Sequence, residues 1–358
     1  MDNISETTNE RVHELAAGRL LQAAKQGNVK AQIDIADMLC CGNGVLQDPT
    51  AAVYWYQTAA DQGNAYAQFK LAWIYEGGHF GKVQNKMLAA DLYTKASDQG
   101  FADAQFSLAN CYWLGVGVAQ NKTTASQFYA KAACLNHVAA MYLLGECYYR
   151  GIGVQKDKTA ALTWFEKAAI QGHTASQYTL GQHYACKGAK QNLKKSVQFY
   201  QQAAEQGHAQ AQISLALCYM EGRGISVNMD RATYWMKAAA NLGEHHAQCI
   251  IGVWCVQGSI EVNKDPVEAV QWFTKAANEG FSVAQTALGM CFKMGYGTAV
   301  NPQASASWFH KAAVQGDVDT VREIVLCYTH GFGVEKDLEK ATQLRALGQH
   351  KTTLSKSK

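Results

Sequence analysis

The sequence predicts an all-α fold, a solenoid of about nine helix–turn–helix repeats that are each 35–37 residues long. Three observations predict it: a glycine that recurs at that period, an Asp or Asn that recurs midway between the glycines, and apolar residues spaced as on one face of a helix. The near absence of proline and the abundance of alanine, glutamine and leucine favour helix as well.

A glycine closes each predicted repeat, and a pair of alanines stands shortly before most of these glycines. Glycine, or asparagine in its place, suits the left-handed residue that ends a helix. The closing positions are Gly27, Gly63, Gly100, Asn136, Gly172, Gly207, Gly243, Gly280 and Gly316.

The Asp and Asn residues in the middle of the repeats predict where a second helix begins. Their side chains accept hydrogen bonds from the free N–H groups of a helix N-terminus. Pro49, Pro266 and Pro302 each follow one of them directly, at the first helical position, where a missing N–H costs nothing. The predicted caps are Asp48, Asn85, Asn121, Asp157, Asn192, Asn228, Asp265, Asn301 and Asp337.

Each repeat therefore contains two amphipathic helices, which we call helix A and helix B, joined in most repeats by Gly-x-Gly. Helix A carries small residues, a leucine and an aromatic ring, as at Ala104, Leu108, Ala109 and Tyr112. Helix B carries a small residue, two aromatic rings and two alanines, as at Ala161, Trp164, Phe165, Ala168 and Ala169.

The stretch from Leu144 to Asp157, LGECYYRGIGVQKD, with the helix B that follows it, resembles the Sel-one-like repeat (SLR) family, relatives of the tetratricopeptide repeats. The resemblance covers about residues 28–348. It implies a right-handed α/α superhelical solenoid that acts as an adaptor, in a family widespread in bacteria. The second repeat departs from the pattern at Gly77-Gly78, the fifth around Gly188 and the seventh at Gly258-Ser259.

The repeats predict the organisation of the whole chain. We expect a disordered N-terminus over 1–9 and a basic flexible tail over 350–358, with the solenoid between them over 10–349. A helix B-like half-repeat over 10–27 precedes nine repeats, which span 28–63, 64–100, 101–136, 137–172, 173–207, 208–243, 244–280, 281–316 and 317–349.

Composition and charge exclude several classes of function. The net charge of +3 is too small to indicate nucleic-acid binding. No apolar stretch is long enough to cross a membrane, and the polar N-terminus does not read as a secretory signal. The chain is thus expected to be cytoplasmic; a secreted effector that lacks a standard signal peptide is the alternative.

The cysteines and histidines predict no catalytic, cofactor or metal site. In five of the nine repeats a cysteine recurs at one position of helix A and is expected to be a buried free thiol, and no C-x-x-C pair occurs. These cysteines are Cys111, Cys147, Cys218, Cys291 and Cys327. His137, His173 and His208 share a position just after helix B, where we expect solvent-exposed helix ends rather than metal ligands.

The face of helix A opposite its core residues is the predicted binding site. Counted from the preceding closing residue, positions 6, 10 and 13 form this face, which we call the helix A stripe. An exposed stripe should be polar, yet it holds Phe69, Trp73, Phe106, Trp113, Tyr142, Tyr149, Tyr178, Ile213, Leu217 and Met220. Either these side chains pack between neighbouring A helices, or they line a concave groove that recognises a peptide or protein.

The resulting hypothesis is a non-catalytic scaffold or adaptor that binds a protein or peptide partner in that groove, without nucleic acid, membrane insertion or metal. Two alternatives stay open. One is a hydrolase or β-lactam-binding member of the same repeat family, although such members carry paired cysteines that this chain lacks. The other is a secreted effector that binds host proteins.

Overall fold

The structure, a computed structural model, describes residues 17–186, 192–258, 264–316 and 318–346. Within these ranges the chain forms nineteen helices and no strand, which confirms the predicted all-α repeat fold. The predicted N-terminus 1–9, the tail 350–358 and the region of Gly188 lie outside the described residues.

Helices A and B alternate along the chain. The A helices are α2 Val29–Cys41, α4 Ala65–Gly77, α6 Ala102–Leu114, α8 Val138–Arg150, α10 Thr174–Ala185, α12 Ala209–Glu221, α14 His245–Gln257, α16 Ser282–Met294 and α18 Val318–His330. The B helices are α1 (17–25), α3 Pro49–Asp61, α5 Lys86–Asp98, α7 Lys122–Cys134, α9 Lys158–Ile170, α11 Leu193–Glu205, α13 Met229–Asn241, α15 Pro266–Asn278, α17 Pro302–Val314 and α19 (338–346).

The chain divides into two units, Met1–Ser176 and Gln177–Lys358. From α2 to α9 and from α11 to α18, each helix packs mainly against its neighbours in the sequence: helix A against helix B of its own repeat, and helix B against the next helix A. Such nearest-neighbour packing is the expected arrangement of a solenoid.

All nine predicted caps at the start of helix B are confirmed. The side-chain oxygen of Asp48, for example, accepts from Ala51 N at 2.9 Å, and that of Asp337 accepts from Lys340 N at 2.8 Å. Pro49, Pro266 and Pro302 occupy the first turn of their helices, as expected. The closing positions are confirmed too, since all eight glycines and Asn136 have positive φ.

The Gly-x-Gly turn joins consecutive repeats as well as consecutive helices. Its second glycine lies directly against the start of the preceding helix B: a Cβ on Gly153 would collide with the carbonyl group of Lys122. Gly117, Gly224, Gly297 and Gly333 stand in the same relation to the helix B before them. The turn therefore requires glycine for its close approach and not only for its φ.

The core of each repeat lies where small residues let the helices approach closely. Ala104, Leu108 and Cys111 of α6 are buried, as are Ala168 and Ala169 of α9. The second aromatic residue of helix B, such as Phe165, is among the largest fully buried side chains. Tyr112, by contrast, is half-buried and stacks on Phe128, with ring centroids 5.8 Å apart.

In most repeats, a buried glutamine five residues after the preceding closing residue connects helix A to the helix B before it. Nε2 of Gln32 donates to the carbonyl oxygen of Ala24 in the preceding helix B at 3.1 Å, and Gln212, Gln248 and Gln285 make the equivalent bond. A second glutamine, at the end of helix B, then donates to Oε1 of the first. Such glutamine pairs occur at Gln62–Gln32, Gln99–Gln68, Gln206–Gln177 and Gln315–Gln285.

Candidate functional site

The rings at position 6 of the helix A stripe are half-buried between repeats. Phe106 lies 6.0 Å from Tyr129 of its own helix B and stacks on His137 at 4.3 Å. Tyr142 has the same two neighbours in Phe165 and His173. Phe69 lies in the same way against Tyr93 and Phe101. Tyr178 lies against Tyr200 and His208. At this position, packing between repeats accounts for much of the ring surface.

His137, His173 and His208 are helix caps, so the expectation that they are solvent-exposed ends is wrong. Nδ1 of His137 accepts from Ala140 N at 3.1 Å, and the other two accept from Ser176 N and Ala211 N. All three rings are half-buried, and burial lowers the pKa of each below its ordinary value of 6.5. Each of these histidines therefore both caps the start of a helix A and covers a ring of the stripe.

Trp73 and Tyr149 are the most exposed of the ten predicted site residues, at 44% and 45%. Trp73 stacks on His79, with ring centroids 4.1 Å apart, and His79 belongs to the irregular turn that follows Gly78 in the second repeat. Tyr149 faces the ammonium group of Lys158, 5.7 Å from the ring centroid. Both side chains are therefore partly covered by a neighbouring side chain and partly exposed.

Trp113 and Tyr142 come together at a cavity of about 320 Å³ between α6 and α8. Tyr129 of α7 reaches the same cavity, and most of its lining is apolar. The other lining residues are Asn110, Leu114, Leu143, Glu146, Cys147, Arg150 and Ile152. A cavity of this size suits one large apolar side chain, and its polar groups sit where they can orient a ligand.

Four polar side chains of this cavity form two pairs. Tyr129 Oη donates to Asn110 Oδ1 at 2.6 Å, and Arg150 Nε pairs with Glu146 Oε2 at 2.8 Å. Burial raises the pKa of the Tyr142 phenol, and Glu146 raises it further. Burial likewise raises the pKa of the Cys147 thiol to about 11, so this cysteine is a poor nucleophile at neutral pH.

Lys122 extends the site above Trp113. Its Nζ lies 3.9 Å from the centroid of the indole ring and donates to the carbonyl oxygen of Trp113, nine residues earlier. Lys122 and Arg150 are not among the site residues predicted from the sequence. The sequence does contain a signal for Lys122, because Lys122 follows Trp113 by nine residues and Lys158 follows Tyr149 by nine residues. Both lysines begin a helix B beside a stripe ring.

Four of the predicted site residues belong to the second unit. Tyr178 accepts from Gln182 Nε2 at 2.8 Å. Ile213 and Met220 are half-buried and pack against the apolar core, and Leu217 is half-buried as well. The lining of the cavity that Trp113 and Tyr142 share consists of first-unit residues alone.

The described residues contain no group of three or more His, Cys, Asp or Glu side chains arranged to hold a metal ion. None of the described helices combines the length and apolarity that crossing a membrane requires. The described cysteines are free, and the five at the recurring position are buried, as predicted.

The alternating capped helices and glycine turns define an α-helical solenoid of repeats, and the sequence identifies the family. Nine stretches match the Sel1 repeat model: residues 29–64, 65–101, 102–137, 138–173, 174–208, 209–244, 245–281, 282–317 and 326–344. The chain therefore belongs to the Sel1 repeat family, and the family resemblance drawn from the sequence is confirmed.

Two solved structures share this fold over most of their length. One is c5321, a protective antigen of uropathogenic Escherichia coli strains that displays an SLR fold. It is 26% identical, with 98% of this chain and 90% of that chain covered and a TM-score of 0.64. The other is a Sel1 repeat protein from Oxalobacter formigenes, 28% identical over 84% of this chain and 88% of that chain, with a TM-score of 0.67. No functionally curated protein matches the sequence significantly.

Proposed function

We propose that this protein is a non-catalytic adaptor that binds a segment of a partner protein along the helix A stripe of its first unit. Sel1 repeats are commonly protein-interaction modules. The observation that carries the proposal is the apolar cavity between α6 and α8, where Trp113 and Tyr142 meet. Tryptophan and tyrosine often dominate binding energy because they bury a large surface at a small cost in conformational entropy.

The chemistry of the cavity supports binding rather than catalysis. Its one thiol, Cys147, has a pKa of about 11, and its one carboxylate, Glu146, is committed to Arg150. A nucleophile needs an adjacent base or a lowered pKa. The groups lining the cavity provide neither, whereas an apolar wall with a few orienting polar groups is what a binding pocket requires.

Selection of peptides on the intact protein tests this proposal. A phage library of random dodecapeptides should yield a consensus on the wild-type chain, and Trp113→Ala should weaken binding of a synthetic consensus peptide by about 2 kcal/mol. Trp308→Ala is the matched control, because Trp308 is also half-buried with a lysine 3.9 Å above its ring, yet it lies on α17, outside the cavity. Peptide binding that survives Trp113→Ala would contradict the proposed site.

A second assay addresses catalysis. A chromogenic β-lactam incubated with the purified chain should be hydrolysed no faster than in buffer alone. Turnover that one point substitution abolishes would contradict the non-catalytic role and favour the hydrolase alternative.

A further inference from the structure

At the mouth of the cavity between α6 and α8, the positively charged side chain is far more exposed than the negatively charged one. Arg150 lines it and is 65% exposed, whereas Glu146 is 22% exposed. Their ion pair engages Nε of the guanidinium group, which leaves the two Nη nitrogens of the fork to a further acceptor. A planar fork of this kind suits a carboxylate.

Two lysines of helix B add positive charge beside the stripe. Lys122 stands over Trp113 at 3.9 Å, and Lys158 stands over Tyr149 at 5.7 Å. Each is the first residue of its helix B. The carboxylate next to Lys158, that of Asp157, is occupied by the N–H groups of Thr159 and Ala160, which it caps.

The first two repeats present the opposite charge on the same stripe. Asp37 accepts a hydrogen bond of 2.5 Å from Tyr56 Oη, and Glu76 accepts one of 2.7 Å from Tyr93 Oη. In the third repeat, the uncharged Asn110 accepts the equivalent hydrogen bond from Tyr129 Oη. The charged stripe residues of repeats one and two are therefore acidic. In repeats three and four the one charged stripe residue, Glu146, is paired with Arg150, and Lys122 and Lys158 lie beside the stripe rings.

We propose that the ligand is an acidic peptide segment, an inference that rests on the proposed function. A large apolar side chain of the peptide fills the cavity, and Asp or Glu residues beside it bind Arg150 and Lys122. Packed helices lie about 10 Å apart, and an extended chain rises about 3.3 Å per residue. Carboxylates about three residues apart in an extended peptide can thus reach cations of successive repeats. Complementary charge of this kind selects the partner and speeds its association.

The test compares peptides selected on four forms of the intact protein. These are the wild type, Trp113→Ala, the double variant Arg150→Gln with Lys122→Gln, and the control Lys311→Gln, whose lysine stands over Trp308 at 3.9 Å outside the cavity. On the wild type and the control, the random dodecapeptide library should enrich a large apolar residue with Asp or Glu within three positions. On the double variant, the apolar preference should remain and the acidic preference should disappear.

Affinity measurements on the best enriched peptide complete the test. Arg150→Gln should raise its Kd by about two- to fivefold, and added salt should weaken wild-type binding more than binding by the double variant. Lys311→Gln should leave the Kd unchanged. Thermal melting of every form checks that the variants fold.

The outcomes separate this inference from the proposed function. A consensus that depends on Trp113 but contains no acidic residue, or that is equally acidic on the double variant, overturns the acidic ligand and leaves the adaptor role standing. A consensus unaffected by Trp113→Ala overturns both.

Discussion

Gln62 Nε2 donates a hydrogen bond of 2.7 Å to Oε1 of Gln32, thirty residues earlier, and so links the end of one helix B to a buried side chain of the helix A before it. Three repeats keep the buried glutamine but lack the donor. Leu135, Leu242 and Glu279 occupy the donor position there, and among the described residues Oε1 of Gln105, Gln212 and Gln248 has no hydrogen-bond partner.

Restoring one donor should stabilise the protein. Glu279→Gln keeps the size of the side chain and supplies an N–H group to Gln248 Oε1, so we expect the free energy of unfolding to rise by about 1 kcal/mol. Urea denaturation measures the change. Glu279→Leu is the control, because it removes the same charge without adding a donor. Leucine already occupies the equivalent position in two other repeats, at Leu135 and Leu242.

A double-mutant cycle identifies the source of any gain. The fourth repeat carries Met141 in place of the buried glutamine, so Gln248→Met is a tolerable background. Glu279→Gln should give no gain in that background. An equal gain in both backgrounds would mean that the new hydrogen bond does not form.

The sequence predicted those features that depend on neighbours in the chain. The cap at Asp157 and the closing residue Asn136 interact within one turn of their own helix, and both are confirmed. The glutamine pairs were visible as recurring residues, but their partners lie about thirty positions apart, so only the packed repeats reveal them.

The candidate site was less predictable for the same reason. A helical wheel describes one helix and placed Phe106 and Tyr142 opposite the core. It could not include His137 and His173, which cap the following helix and cover those rings. The cavity itself needs side chains from α6, α7 and α8 together, and no local pattern encodes that combination.

The second glycine of Gly-x-Gly should tolerate alanine less well than a closing glycine does. Gly153 and Gly172 both have positive φ, but a Cβ on Gly172 meets no atom within 4 Å, whereas one on Gly153 collides with the carbonyl group of Lys122. Gly172→Ala should cost only the strain of the left-handed backbone, about 1 kcal/mol. Gly153→Ala should cost about 1–3 kcal/mol more. Equal losses in urea denaturation would show that the close approach is not maintained in solution.

The cysteines should separate into two classes of reactivity. Burial raises the pKa of Cys111 to about 12 and that of Cys147 to about 11, whereas Cys41, Cys134 and Cys186 are exposed. A maleimide at neutral pH should therefore label the exposed three rapidly and leave the two buried thiols unmodified until urea is added. Peptide mapping by mass spectrometry identifies the labelled positions. Rapid labelling of Cys147 in the native protein would contradict the packing of α8.

The three histidine caps should make the stability of the protein depend on pH. Nδ1 of His137, His173 and His208 accepts a backbone hydrogen bond, and a protonated ring cannot accept it. Burial lowers the pKa of each below 6.5, against opposing effects of Asp103 on His137 and of Glu244 on His208. The unfolded chain therefore binds more protons, so stability is fully present above about pH 6.5 and is lost as pH falls towards the lower folded pKa values.

The repeats themselves supply the control for this prediction. Asn28 and Asn64 occupy the same position in the first two repeats and accept the equivalent bonds, from Ala31 N and Ala67 N, with a side chain that does not titrate. Replacing all three histidines by asparagine should keep the caps and remove their share of the pH dependence. Urea denaturation of both proteins at intervals between pH 7.5 and 5 measures that share as the difference between the two curves. Parallel curves would mean that the three rings do not lose their caps on protonation, and that other groups cause whatever pH dependence remains.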